Sequence, residues 1–269
     1  MTGSLFGSLY DTVVMPVDNS KFSWHVVEHG RRLAEDIGAK VQLFFASSGE
    51  QVEPEMHDAA AAAHVGLEVT RSANSAEARG AAIAAYAART PRSVIAMATH
   101  GHGGWATTVL GSTTAELLIA ADRPVVLYGP EAKAPAPVKR VVACLDGSSF
   151  AESILEEAAK WAWAVGVPLW LVSVLGSGWG KSAGDVTEEA YLGRLARDLE
   201  RPGLDLQWDA LHGWDTGIAL VEYANEEPGT LLAMSTHGRT GLRQVALGSV
   251  AADVVREARG PVLVQRPRE

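Results

Sequence analysis

Short apolar runs alternate with longer stretches of helical spacing along the whole chain. Thr12–Val17, Val41–Ala46, Leu67–Arg71, Ser93–Ala98 and Pro124–Tyr128 are mostly apolar or β-branched, as expected of parallel strands covered on both faces. In the second half Ile154, Leu155, Ala158, Trp161, Ala162 and Val165 recur at three and four, which predicts a helix with one apolar stripe. Ser20 and Ser148 stand where helix N-caps are expected. Strand–helix alternation of this kind predicts a doubly wound α/β fold. In such a fold ligands bind beyond the carboxyl ends of the strands.

The pattern occurs twice. Val13-Val14-Met15-Pro16-Val17-Asp18-Asn19-Ser20 matches Val141-Val142-Ala143-Cys144-Leu145-Asp146-Gly147-Ser148, an offset of 128, and Ala96-Met97-Ala98-Thr99-His100-Gly101 matches Ala233-Met234-Ser235-Thr236-His237-Gly238, an offset of 137. The second half thus carries nine extra residues, which we place in the Gly/Ser-rich stretch Gly176–Gly184. Gly129–Pro137 has the Pro/Ala content of a short stiff linker. The chain therefore divides into domains at 1–131 and 138–269, a division that suits its 269 residues.

Composition narrows the function classes. The chain is 47% hydrophobic and 20% charged, with neither an apolar leader at Met1 nor a long apolar run, so a soluble, cytoplasmic protein without membrane contact is expected. A net charge of −9 without a basic stripe opposes binding to nucleic acid. The single cysteine, Cys144, lies in an apolar run and is expected to be a buried strand residue.

Three features converge on the carboxyl edge of each half. Asp18 or Asp146 follows the first strand; Thr99-His100-Gly101 or Thr236-His237-Gly238 leaves the fourth; Gly111-Ser112 or Gly248-Ser249 opens the next helix. Glycine admits a ligand close to the backbone, and free N–H groups at a helix start bind phosphate. Taken singly, each aspartate fits either an acceptor for ribose or adenine or an Asx-turn. Each serine fits either a phosphate donor or a cap.

Gly101 and Gly111-Ser112 are separated by nine residues, as are Gly238 and Gly248-Ser249. With the closing Pro124-Val125 and Pro261-Val262 strands, this spacing resembles the signature of tandem, actinobacterial-like universal stress proteins over nearly the whole chain. The resemblance implies two five-stranded parallel sheets packed as an intrachain pseudo-dimer, with closing strands that pair. It implies an adenine nucleotide as ligand, ATP with ADP or AMP as alternatives, accompanied by Mg2+. Asp18 and Asp146 would then bind the nucleoside, and Ala46 and Val174 would lie near adenine. Gly101, Gly111, Ser112 and Thr113, and Gly238, Arg239, Gly241, Gly248, Ser249 and Val250, would hold phosphates. Association into a homodimer and an unidentified protein partner are implied as well.

Both halves depart from the signature at its first glycine, where Ala98 and Ser235 stand. The replacement is cheap if φ is negative there and costs about 1 kcal/mol or more if φ is positive. The second half keeps the more usual turn, Gly238-Arg239-Thr240-Gly241. Leu175–Ser182 ends in Gly-Lys-Ser but has Leu175 where a P-loop needs its first glycine. His100 and His237 have no neighbours at metal-ligand spacing, and His25, His29, His57 and His64 read as surface or helix residues. Trp161, Trp163, Trp170, Trp208 and Trp214 fall in apolar patterns that predict packing. No nucleophile elbow or paired-carboxylate motif is present. A stress-responsive nucleotide-binding regulator is expected. A scaffold that has lost the nucleotide, or at most a slow ATPase or nucleotidyl transferase, stands as an alternative.

Overall fold

The computed structural model describes residues 9–62, 65–99, 110–176, 183–236 and 247–267. The first half runs β1 (Thr12–Val17), α1 (Lys21–His25), α2 (Val27–Ile37), β2 (Lys40–Ser47), α3 (Pro54–Ala62), β3 (Gly66–Arg71), α4 (Ala76–Arg89), β4 (Ser93–Ala98), α5 (Ser112–Ala120) and β5 (Val125–Tyr128). The second runs β6 (Arg140–Leu145), α6 (Ser149–Glu152), α7 (Leu155–Val165), β7 (Leu169–Gly176), α8 (Ala183–Leu199), β8 (Leu206–Gly213), α9 (Thr216–Glu226), β9 (Thr230–Ser235), α10 (Ser249–Glu257) and β10 (Val262–Gln265). All strands within a half are parallel.

Each half forms the five-stranded parallel sheet expected, and the closing strands join them. β5 and β10 pair antiparallel with Val126 opposite Leu263, giving one ten-stranded sheet in the order β3-β2-β1-β4-β5-β10-β9-β6-β7-β8. Because the joint is antiparallel, the carboxyl edges of the two halves lie on opposite edges of the sheet. The inner strands β1, β4 and β5 are buried at every position, whereas the edge strand β3 is largely exposed. This is why the inner strands read as unbroken apolar runs.

One face of the sheet is covered by the α2–α3 and α7–α8 side, in a single core that includes Val27, Leu33, Ile154, Trp161 and Leu192. The other is covered by α4, α5, α9 and α10, through Ile83, Leu117, Leu220 and Val254. Helix starts follow the local chemistry. Ser20, Ser75, Ser148 and Asp215 each accept the N–H of the residue three positions on. The predicted helix spanning Ile154 to Val165 is tightened near its start by i→i+3 bonds from Ser153 N–H to Phe150 O (3.2 Å) and Ile154 N–H to Ala151 O (3.3 Å), which separate α6 from α7.

The segment between the halves is fastened at several points rather than standing off as a spacer. His29 Nε2–H donates to Lys133 O at 2.6 Å, Lys133 N–H to Arg259 O at 3.0 Å and Val138 N–H to Asp36 Oδ2 at 3.0 Å. A Cβ on Gly129 would lie 1.9 Å from Val255 O, so only glycine admits this close approach. Deeper in the joint, the buried Glu157 accepts from Tyr10 Oη and, at 3.0 Å, from Trp161 Nε1. His29 is a helix residue of α2, as one of its two readings had it, but it is only 5% exposed, because α2 turns it toward the linker.

Two further expectations change. The extra length of the second half falls largely in α8, which has 17 residues against 9 in α3, so it lengthens a helix rather than only a glycine loop. Trp161 is fully buried, but Trp208 is 46% and Trp214 89% exposed. Trp208 stands on an edge strand, and Trp214 lies in the turn before α9, outside the helical period that would aim it at the core. Cys144 is buried in β6 as expected, and desolvation pushes its thiol up to about 12. Among the described residues no helix is long and apolar enough to cross a membrane.

Candidate functional site

At the end of β1 the chain turns sharply on Asp18. Its Oδ1 accepts Ser20 N–H at 2.9 Å, and its carbonyl accepts Trp24 Nε1–H at 2.7 Å and Ser23 Oγ–H at 3.0 Å. Asp146 repeats the turn, taking Ser148 N–H at 3.0 Å and the Ser148 hydroxyl on Oδ1. Both aspartates therefore close an Asx-turn that feeds a serine-capped helix. The turn holds each carboxylate at the carboxyl edge of its sheet.

Helix α5 is brought to the same edge by β4. Gly111 N–H donates to Thr99 O at 2.7 Å, and the buried Thr114 Oγ1 donates to the same carbonyl at 3.3 Å. Gly111 is the N-cap, in extended conformation (φ −63°, ψ 147°), and as glycine it supplies no side-chain cap. The first N–H groups of a helix left without a side-chain cap, together with the helix dipole, favour an anion.

These elements enclose a cleft of about 480 Å³ in the first half. Of the residues expected there, Asp18, Ala46, Ala98, Gly111, Ser112 and Thr113 line it together. Gly101 and His100 lie outside the described residues. The lining also includes Ser23, Phe44, Glu50, Asn74 and Arg79, which the motif spacing did not single out. Glu50 follows β2 in a tight loop, where its carboxyl is held below the usual range. Hydrogen bonding to its own backbone N–H contributes most, then the Ser48 hydroxyl, with burial opposing and Ser48 N–H and Arg79 assisting more weakly.

Arg79 reaches the cleft from the first turns of α4. Gly80 lets α4 lie directly on α5: a Cβ there would stand 2.7 Å from Leu117 N and 2.8 Å from Glu116 Cβ. The preceding arginine then comes beside the first turn of α5, with Nε 3.4 Å from Thr113 Oγ1 and Nη1 3.4 Å from Asn74 Oδ1. A basic residue four positions past the cap Ser75, followed by glycine, is the only trace of this in the sequence.

In the second half Asp146 is exposed, Val174 is half-buried near the end of β7, and Gly248 caps α10 without a side-chain bond, so that Ser249 and Val250 open the helix. Gly238, Arg239, Gly241 and His237 lie outside the described residues. Ser235 ends β9 with its Oγ 2.8 Å from Ser153 Oγ. Ala98 and Ser235 are both strand residues, and neither is among the described positions with positive φ. Replacing glycine at those positions therefore carries no backbone strain. Among the described residues no group of three or more His, Cys, Asp or Glu side chains is placed to hold a metal ion.

The sequence model of the universal stress protein family matches residues 9–129 and 137–266. Universal stress protein Slr1230 of Synechocystis is 32% identical over 129 residues, 48% of this chain and 43% of that protein. A universal stress protein of Mycolicibacterium smegmatis is 29% identical over 192 residues, 65% of this chain and 62% of that protein. The chain thus matches less than two thirds of the length of either relative. Among solved structures, a universal stress protein from Archaeoglobus fulgidus shares the fold at a TM-score of 0.67 and 20% identity, with 98% of this chain and all of that one covered.

Proposed function

Because the chain belongs to the universal stress protein family, we propose that it is an adenine-nucleotide-binding regulatory protein of the stress response. Its halves, residues 1–131 and 138–269, each present a site at the carboxyl edge of their strands. The observation that carries this reading is the cleft of about 480 Å³ in which the Asp18 turn, Ala46, Ala98 and the Gly111 start of α5 meet. That volume lies in the range of small-molecule sites. Ala46 with Phe44 supplies an apolar wall for a base, Asp18 an acceptor for ribose, and Gly111, Ser112 and Thr113 a seat for phosphates.

ATP is the nucleotide proposed, with ADP and AMP sharing the adenosine contacts. Mg2+ is commonly held by one or two carboxylates plus phosphates, and Asp18 and Glu50 are the carboxylates lining this cleft. The bound metal would neutralise phosphate charge. In the second half Asp146, Val174, Ser235, Gly248, Ser249 and Val250 take the corresponding places. Gly101, Gly238, Arg239 and Gly241 belong to the same proposal on the strength of their motif. Nucleotide binding would set a surface or assembly state in the cytoplasm, read by a partner protein or by a second copy in a homodimer.

Calorimetric titration of Mg·ATP into nucleotide-stripped protein, with GTP as control, tests the reading. The expected result is one or two adenine-selective sites, weakened by Gly111→Glu and Gly248→Glu, each of which puts a carboxylate at a helix start where phosphate would sit. Absence of heat at millimolar ligand, with an unchanged melting temperature, would leave a scaffold without nucleotide.

A further inference from the structure

The two candidate sites differ at the fourth residue past the cap of the neighbouring helix. Arg79 stands four residues past the N-cap Ser75, with its N–H bonded to Ser75 O at 3.1 Å. Ala219 stands four past the N-cap Asp215 with the same 3.1 Å bond to Asp215 O. The positions are therefore equivalent, and at this position the first half carries a cation and the second an alanine. We propose that Arg79 is the residue by which the N-terminal cleft prefers phosphorylated over unphosphorylated ligand. This rests on the nucleotide reading above.

The guanidinium is placed but not neutralised. Its two hydrogen bonds, to Thr113 Oγ1 and Asn74 Oδ1, are both 3.4 Å long and both go to neutral oxygens. Well-formed N–H···O bonds centre near 2.9–3.0 Å, so these are weak and readily exchanged. No carboxylate among the described residues lies within 4.0 Å of Arg79; Glu50 acts on it only through space. An arginine kept for architecture would be expected to hold a carboxylate. This one instead lines the cleft beside Thr113, in the first turn of α5, whose N-cap Gly111 has no side chain to take the helix N–H groups.

A phosphate at the helix start would take those N–H groups and also the guanidinium fork, whose planar geometry matches phosphate oxygens. In the second half α9 offers no guanidinium at the equivalent position, Ala219. The rim there carries Trp214 where Asn74 stands in the first half and Ile218 in place of Ala78, both of them exposed. Adenosine would bind the N-terminal cleft without using Arg79, AMP would use it in part, and ATP most fully.

The test is titration of adenosine, AMP and ATP into full-length protein carrying Gly248→Glu, so that the first half is read alone, with and without Arg79→Gln. The expected result is an affinity that rises along the phosphate series, and a fall of about tenfold or more in the ATP-over-adenosine preference on Arg79→Gln, the low end for a hydrogen bond to a charged group. Arg79→Lys should recover part of that preference, whereas a purely structural link between Asn74 and Thr113 would be lost with lysine as with glutamine. An unchanged series in Arg79→Gln protein of normal melting temperature overturns the role of Arg79 and leaves the nucleotide site standing. Failure of all three ligands to bind the Gly248→Glu protein overturns the nucleotide reading of this cleft, and the arginine's role with it.

Discussion

The two halves share their machinery at the carboxyl edge and differ at its rim. Asp18 and Asp146 close the same turn, and Gly111 and Gly248 are N-caps without a side chain of their own. Around the first cleft stand Glu50, Asn74 and Arg79. At the positions of Asn74 and Arg79 the second half has the 89% exposed Trp214 and Ala219. A duplicated fold can thus keep the backbone geometry of the carboxyl edge while letting side chains contributed from the neighbouring α4 or α9 diverge. The ten-stranded sheet also faces the two sites toward opposite edges, so the halves can differentiate without obstructing one another.

The comparison holds only if both halves report from one folded body, and the joint is where it breaks most severely. Glu157→Ala removes the carboxylate to which the Tyr10 hydroxyl and the buried Trp161 indole N–H donate. It should cost about 3 kcal/mol in chemical denaturation, while far- and near-UV signals still change in a single step. Two separated transitions in the parent protein would mean that the halves fold independently.

The helix contacts that deliver the rim residues come next. Gly80→Ala places a Cβ 2.7–2.9 Å from the backbone of α5 and Glu116 Cβ, with no side-chain rotation to relieve it, and should destabilise by about 1–2 kcal/mol after the gain in helix propensity. In the second half Leu220 stands at the position of Gly80, and the close glycine approach of α9 to α10 is instead at Gly217, whose added Cβ would lie 3.0 Å from Asp253 Cβ. Gly217→Ala should therefore stay within about 0.5 kcal/mol of the parent. Equal losses in melting temperature would show that the two helix pairs do not differ in the way described.

A smaller effect separates the exposed tryptophan from the buried one. Trp214→Phe should remove a large share of the iodide-quenchable emission and shift stability by no more than about 0.5 kcal/mol. Emission from Trp161, fully buried, should remain unquenched. If Trp214→Phe leaves the quenchable fraction unchanged, that side chain is covered in solution.

The smallest effect at neutral pH concerns Cys144, which stands where the first half has Pro16. The native thiol should resist Ellman's reagent at pH 8 and react on unfolding. Burial raises its pKa to about 12, against about 8.5 in an unfolded chain. Its contribution is therefore fully present below the unfolded value and is lost as pH rises toward about 12. Cys144→Ala should flatten that part of the alkaline fall in stability, and an unaltered fall would assign it to other groups.

Much of the fold was legible because its determinants are local. Unbroken apolar runs marked β1, β4 and β5, and Ser20 and Ser148 marked helix starts, since a cap acts over three residues. The repeat and the glycine-serine spacing pointed to the edge where Asp18, Ala98, Gly111 and Ser112 meet. Composition could not tell Trp161 from Trp214, because an apolar residue in a turn has no periodicity to aim it. Arg79 and Thr113 are 34 residues apart, and their meeting depends on how closely α4 approaches α5 at Gly80. His29 reaches the linker 104 residues away only because α2 is packed beneath it. Sequence period and turn chemistry thus determined the elements, the duplication and the edge of the site. Helix packing and the antiparallel β5–β10 joint decided which distant side chains share a cleft and which way each cleft faces, because contacts between residues far apart in sequence form only when whole elements dock.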